Sequence, residues 1–257
     1  MRHTILPSPL FVHVWRRHFL VWRKNIATSI VGNLGEPFLY LLGMGYGLGR
    51  YVETMGEIPY AVYLTAGILA SNSMYAATFE SIYNSFTRMT RQQTFHAMLA
   101  TPVSIADIVA GEVTWAATKS LLSGSAILLV GWLMGSVTAP TALLALPVVL
   151  LSGLVFASMG MVVTATAPNY DFFMYYFTLI ITPMFLFCGV FFPVDTLPLP
   201  LTLATQLLPL THVVALIRPL TTGLPFEYPL WHLAALLALL ALCFPLAVNR
   251  IRKRIIV

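Results

Sequence analysis

Positive charge in this chain is confined almost entirely to the flanks of apolar runs, and that placement dictates both a membrane-spanning fold and its direction. Arg2, Arg16, Arg17, Arg23 and Lys24 form a first patch, Arg88 and Arg91 a second, and Arg250, Arg252, Lys253 and Arg254 a third. Only Arg50 and Arg218 occupy the loops between, while Lys119 falls inside an apolar run. Loops rich in Lys and Arg stay in the cytoplasm, so both termini and the loop after the second span are expected there, with an even number of crossings. Hydrophobic residues make up 58% of the chain and charged residues 9%, which excludes an ordinary soluble domain. The net charge of +5 is therefore a topology signal. It does not point to nucleic acid, because the charges bracket apolar spans and share no solvated face with base-stacking aromatics. Cys188 and Cys243 both fall inside predicted spans and argue against a disulfide framework.

A transmembrane helix needs ~20 mostly apolar residues. At that length the sequence predicts an all-α, polytopic membrane protein with six spans, at 30–49, 61–86, 105–133, 142–165, 172–192 and 230–248. The fourth and fifth are joined by a turn at Ala167-Pro168-Asn169-Tyr170-Asp171. Residues 11–24 are too charged to cross, yet Val12, Trp15, Phe19 and Trp22 recur at helical spacing, with Arg16, Arg17, Arg23 and Lys24 on other faces. That pattern predicts an N-terminal amphipathic helix lying on anionic membrane lipid, as an alternative to plain juxtamembrane charge. No apolar run with a small-residue cleavage site marks a removable signal peptide. Between 193 and 229 the chain is apolar but broken by seven prolines, with helical pieces near 201–208 and 211–217 too short to span. Such pieces are expected to be re-entrant and to form a lid on the outer side.

Charges inside the spans are the first candidates for function, since each costs roughly 2.5–3.5 kcal/mol at a helix centre. Glu112 and Lys119 both lie in the third span with Trp115 between them. Seven residues of helix rise about 10 Å, which argues against a direct bridge between the two. Lys119 therefore snorkels, meets another helix, or faces a transport path. Glu36 and Glu80 are expected at headgroup depth. Asn72, Tyr75, Phe79, Tyr83 and Phe86 share one face of the second span, suited either to helix packing or to substrate contact. Glycine pairs four apart, Gly43 with Gly47, Gly45 with Gly49 and Gly131 with Gly135, suit close helix approach.

No phosphate-binding loop, zinc-protease motif, nucleophile elbow or metal-ligand spacing is present, so no catalytic or metal-binding residue is assigned and no ATP hydrolysis is expected of this chain. The loop after the second span runs from Arg88 through Arg91, Gln92, Phe95, His96, Met98 and Leu99 to Pro102. Phe95, Met98 and Leu99 fall on one helical face, and Ser104 with Asp107 can cap the third span. A short amphipathic helix held beneath the membrane in this way is either a connector or a docking element.

At Met98-Leu99-Ala100-Thr101-Pro102 the chain resembles the permease subunits of ABC-2 type ABC exporters, and it is similar to their nodulation-factor export (NodJ-like) group. The resemblance extends over most of the chain, through Gly111-Glu112 with Trp115 and Lys119, Tyr170-Asp171, Thr182-Pro183, the run from Gly189 to Asp195, Leu208-Pro209-Leu210 with His212, and Arg218-Pro219. It implies one ABC-2 type transmembrane domain over 1–257: an interface helix in 1–29, spans one to five in 30–192 with the coupling loop at 87–104, an extracytoplasmic re-entrant segment at 193–229, and the sixth span with its basic tail at 230–257. It implies a bacterial inner-membrane location and pairing with a second copy of the chain. It also implies two copies of a separate ABC ATPase that binds the ATP and Mg. Arg88, Arg91, Gln92, Phe95, His96, Met98 and Leu99 would couple to that ATPase. Asn72, Tyr75, Phe79, Tyr83, Glu112 and Lys119 would line the path of an amphipathic lipid-linked, oligosaccharide or polysaccharide-type substrate. Relatives often carry an acidic residue where this chain has His96, which leaves the charge pairing with the ATPase open and would make docking pH-sensitive. The direct tests of this coupling are Arg91→Glu and deletion of 95–99, each expected to leave the chain folded and inserted but to abolish transport.

Three other readings are weighed by what they require. An ion-driven secondary transporter calls for inverted repeats and several midplane ionisable groups. An intramembrane lipid-modifying enzyme calls for a convergent acid, base or nucleophile set. A passive anchor has little use for Lys119.

Overall fold

The computed structural model describes residues 6–24, 26, 39–45 and 47–256. Half of the first expected span, with Glu36 and Pro37, lies outside the described residues, as does Arg2. Helix α1 spans Phe11–Arg23, α2 Tyr60–Phe79, α3 Ser85–Thr90, α4 Thr94–Leu99 and α5 Ile105–Leu133. They are followed by α6 over Ala145–Thr166, α7 over Phe172–Tyr176, α8 over Thr182–Phe187, α9 over Leu199–Thr205, α10 over Pro209–Thr222 and α11 over Pro229–Ile255. The one sheet among the described residues is a hairpin of Thr54–Met55 against Ile58–Pro59, turning at Gly56 with φ 64°.

Helix α6 sits at the centre, packed against α5, α11, α2 and α10. Small residues make this approach possible: a Cβ on Gly153 would lie 2.7 Å from the Ala117 Cα of α5. Buried hydroxyls and amides then join the helices where lipid offers no competing partner. Ser73 and Ser152 share a bond of 2.6 Å, Asn72 Nδ2 donates to Ser123 Oγ at 2.8 Å, and Ser120 Oγ donates to the Ser73 carbonyl at 2.8 Å. Of the expected glycine pairs, Gly131 does pack closely, against Thr65 and Val137, whereas Gly135 is a turn residue with φ 70°.

Among the described residues three helical stretches are long and apolar enough to cross a membrane: Ile105–Leu133, Pro140–Thr166 and Pro229–Ile255. The pair α9 and α10, bent by 85° at its break, is either a broken span or a re-entrant loop. The second expected span continues as helix from Tyr60 to Thr90, but its polar residues Thr65, Ser71, Asn72, Ser73, Thr78 and Glu80 are all buried. Its fitness for a membrane therefore rests on tertiary packing and on its own carbonyls, which satisfy all of those groups but the Thr78 hydroxyl. The fifth differs from expectation, because helix ends at Phe187 and Gly189 turns the chain with φ 80°. Both of these stretches contain a π-helical turn, at Glu80–Asn84 and at Phe177–Ile181, a feature frequent at functional sites.

The capping box starting α5 is present: Ser104 N donates to Asp107 Oδ2 at 2.9 Å, and Asp107 N donates to Ser104 Oγ at 3.2 Å. At the other end of the chain the Arg254 guanidinium donates to the Thr164, Ala165 and Ala167 carbonyls that close α6. Helix α1 docks on α5, but the buried face differs from the expected stripe. Val14 and His18 are its buried side chains, while Val12 is exposed. Gly111 admits this contact, since a Cβ there would lie 2.5 Å from Val14 Cβ and 3.1 Å from the Phe11 carbonyl oxygen. Gly111→Val is expected to push α1 off α5 at a cost of about 1–3 kcal/mol. Limited trypsin digestion checks it: cleavage at Arg16, Arg17 and Arg23 should accelerate, and an unchanged rate would mean that α1 is not held there.

Candidate functional site

Two buried carboxylates organise the end of the helix assembly nearest the coupling loop. Glu80 opens the π-helical turn after α2, and Glu112 sits two turns into α5; their side chains are 2% and 0% exposed. Burying a charge without partners costs several kcal/mol, so the surrounding residues must compensate. Arg88 of α3 does so for both: its Nη2 lies 2.9 Å from Glu80 Oε1 and also contacts Glu112, and its Nε is 3.1 Å from each Glu112 oxygen. Lys119 Nζ reaches Glu80 Oε2 at 2.7 Å, and Trp115 Nε1 donates to Glu80 Oε1 at 3.1 Å. Asn84 Nδ2 donates to Glu80 at 2.6 Å, Ser85 Oγ donates to Glu112 at 2.6 Å, and His18 Nε2 of α1 stands 3.0 Å from Glu112 Oε1. One cluster thus ties α1, the π-helical turn, α3 and α5.

Lys119 meets the helical turn after α2, through Glu80, does not pair with Glu112, and also lines a cavity. Glu80 is buried between helices as a counter-ion to Arg88 and Lys119. His18 was not anticipated. Its position three and four residues from Trp15 and Trp22 was visible in the sequence, but a ligand for it was not. Around it Trp15 Nε1 donates to Thr118 Oγ1 at 3.0 Å, and the Trp15 and Trp22 rings meet the Trp115 ring edge-on at 6.5 and 6.1 Å. Arg16, Arg23 and Lys24 point outward, and Arg17 is half-buried.

The loop at 87–104 is divided by burial. Phe95 is fully buried in the core, with Met98 and Leu99 half-buried against it. Arg91, Gln92, His96, Ala97 and Thr101 are exposed on the opposite side. Arg88 turns away from that surface into the ion cluster, while its backbone carbonyl accepts a 2.8 Å bond from Thr94 Oγ1 at the start of α4. Gln93, at φ 55°, makes the corner between α3 and α4.

Of the second-span row, Asn72 is buried against Ser123. Tyr75, Phe79 and Tyr83 each meet Phe177 of the second π-helical turn, at 6.4, 5.3 and 6.1 Å between ring centroids. Tyr83 and Phe86 continue onto Phe173 at 5.2 and 5.1 Å. Phe79 is 52% exposed, so this ladder presents aromatic surface outward. At the opposite end of α2, the Arg218 guanidinium stacks 3.7 Å over the Tyr63 ring, and both residues donate to the Gly189 carbonyl, at 2.5 and 3.1 Å. His212 and His232 approach through their Nδ1 atoms at 2.8 Å, joining α10 to α11. No group of three His, Cys, Asp or Glu side chains among the described residues is arranged to hold a metal ion.

Several long apolar helices among the described residues define a multi-pass membrane protein. Residues 9–221 match the ABC-2 type transporter family, and the chain belongs to that family. It is 45% identical over 255 residues to nodulation protein J of Rhizobium leguminosarum bv. trifolii, covering 98% of this chain and 97% of the relative. It is 44% identical to nodulation protein J of Rhizobium meliloti (strain 1021), covering 95% and 94%, and 40% identical to that of Bradyrhizobium diazoefficiens, covering 98% and 97%. The chain is accordingly a permease subunit, and its role is transport.

Proposed function

We propose that residues 1–257 form one transmembrane unit of six spans in a bacterial inner membrane, with both termini and α4 cytoplasmic. Two copies of the chain pair, and two copies of a separate ABC ATPase, which bind the ATP and Mg, each grip one copy. The cargo is an amphipathic lipo-oligosaccharide of the nodulation-factor type or a similar lipid-linked glycan, moved outward. The supporting observation is the division of α4 and the turn before it: an exposed side with Arg91, Gln92 and His96 available for docking, a buried Phe95 that transmits displacement into the core, and a bond from Thr94 to the backbone of Arg88. Movement of α4 reaches the Glu80–Arg88–Glu112 cluster directly, and from there the π-helical turn whose Tyr83 stacks on Phe177. The aromatic ladder offers flat apolar surface of the kind that sugar and acyl groups pack against, and we assign it to the substrate path with Asn72. Glu112 and Lys119 are assigned to the ion cluster that positions the path.

The test is purification of the tagged chain from its native membrane in mild detergent, followed by ATPase assay and uptake of labelled lipo-oligosaccharide into inverted vesicles. A stoichiometric ATPase and ATP-dependent uptake are expected. A chain that purifies alone and drives uptake from a proton gradient would overturn the ATP-driven reading in favour of ion coupling.

A further inference from the structure

A cavity of about 340 Å³ lies between α1 and the ion cluster, inside the ~300–1,000 Å³ range of small-ligand sites. Its wall carries Arg17, Arg88 and Lys119 as cations and Glu80 as the one carboxylate, with Trp22 and Trp115 beside them. Counting Glu112, which contacts Arg88 from behind, three cations face two carboxylates. The surplus charge is Arg17, which makes no ion pair among the described residues. Lys119 gives one of its three N–H groups to Glu80, leaving donors for a further acceptor. Asn84, Thr87 and Gln92 add polar groups on the opposite wall.

The position of the opening identifies what this charge meets. On α1, Leu20 and Val21 are exposed apolar residues at 43% and 55%, next to exposed Arg16, Arg23 and Lys24. A helix with that surface lies at the boundary of headgroups and acyl chains. Val21 and Trp22 line the same cavity as Arg17, so acyl-compatible surface and phosphate-compatible charge share one opening. We propose that this cavity binds the phosphate headgroup of an anionic inner-leaflet phospholipid, with Arg17 and Lys119 contacting the phosphate and Val21 and Trp22 packing on the glycerol and upper acyl chain. Bound there, the lipid clamps α1 against α5 beside the coupling loop. The inference rests on the membrane placement of α1 proposed above.

The experiment is native mass spectrometry of the full chain, in the complex in which it purifies, titrated with phosphatidylglycerol or phosphatidylcholine of matched acyl chains. Phosphatidylglycerol should bind more tightly. A basic residue near an anionic surface contributes about a fivefold change, so Arg17→Gln should weaken phosphatidylglycerol binding about fivefold and leave phosphatidylcholine unchanged. Arg16→Gln, on the outward face, should leave both unchanged. Equal binding of the two lipids, or equal losses from Arg16→Gln and Arg17→Gln, would overturn a specific site. Displacement by soluble glycerol 3-phosphate at equal concentration would assign the cavity to free phosphate esters and overturn the lipid. A chain lacking an ATPase but showing the Arg17-dependent preference would sink the exporter reading and leave the lipid site standing; the reverse result would do the opposite.

Discussion

Arg88→Ala is expected to lower stability by about 3–5 kcal/mol, the usual cost of breaking a buried ion pair from one side. The loss falls mainly on Glu112. Glu80 keeps Lys119, Trp115 and Asn84, whereas Glu112 would keep only Ser85 and His18 at a position 0% exposed. The measurement is thermal unfolding in detergent, with folded yield from size exclusion as the parallel readout. A triple variant, Arg88→Met with Glu80→Gln and Glu112→Gln, removes all three charges together. It should recover much of the stability, because well-packed neutral replacements of buried ion clusters are often neutral or better. Export should remain lost in that variant if the cluster links α4 to the helices. A small effect of Arg88→Ala, within about 0.5 kcal/mol, is the mark of an ordinary surface position and would mean that water reaches the cluster.

Arg91→Glu should abolish export with stability unchanged, since Arg91 is exposed and meets no buried partner among the described residues. The companion variant Phe95→Ala separates docking from anchoring. Phe95 is 0% exposed, and truncating a buried Phe costs about 3–5 kcal/mol. It should therefore lose stability and transport together, whereas Arg91→Glu loses transport alone. Deletion of 95–99, attractive from the sequence, removes this core anchor with the exposed face and so no longer isolates coupling. Thermal stability, recovery of the associated ATPase and vesicle uptake, measured side by side, decide the matter. Full export by Arg91→Glu at normal stability would remove Arg91 from the ATPase contact.

Local and compositional features were readable in advance because their causes lie within a few residues. The long helix at 105–133 follows from its apolar length, and its start from Ser104 and Asp107, three apart. The helix at 94–99 follows from Phe95, Met98 and Leu99 sharing a face, with Pro102 ending the run. Family membership was likewise present in short motifs spread along the chain. The direction in which those faces point was not readable. Met98 and Leu99 share a face with Phe95, but only contact with α3 and α5 makes that face the interior, leaving His96 and Arg91 outside.

Partners distant in sequence account for the remainder. Glu80 and Lys119 are 39 residues apart, and His18 and Glu112 lie on helices that meet only because Gly111 lets Val14 approach. The π-helical turns are equally non-local. Their bonding departs from the i→i+4 pattern that periodicity reads, and at Glu80–Asn84 the altered backbone is supported by Thr164 Oγ1 of α6 donating to the Ser81 carbonyl at 2.7 Å. Hydropathy, loop charge and short motifs thus decide that this chain enters a membrane and to which family it belongs, because transfer free energy sums over residues without regard to their neighbours. Which charges neutralise one another, and which face of the helix at 94–99 stays free, follow from helix packing, because Coulomb and contact energies depend on separations that no run of sequence contains.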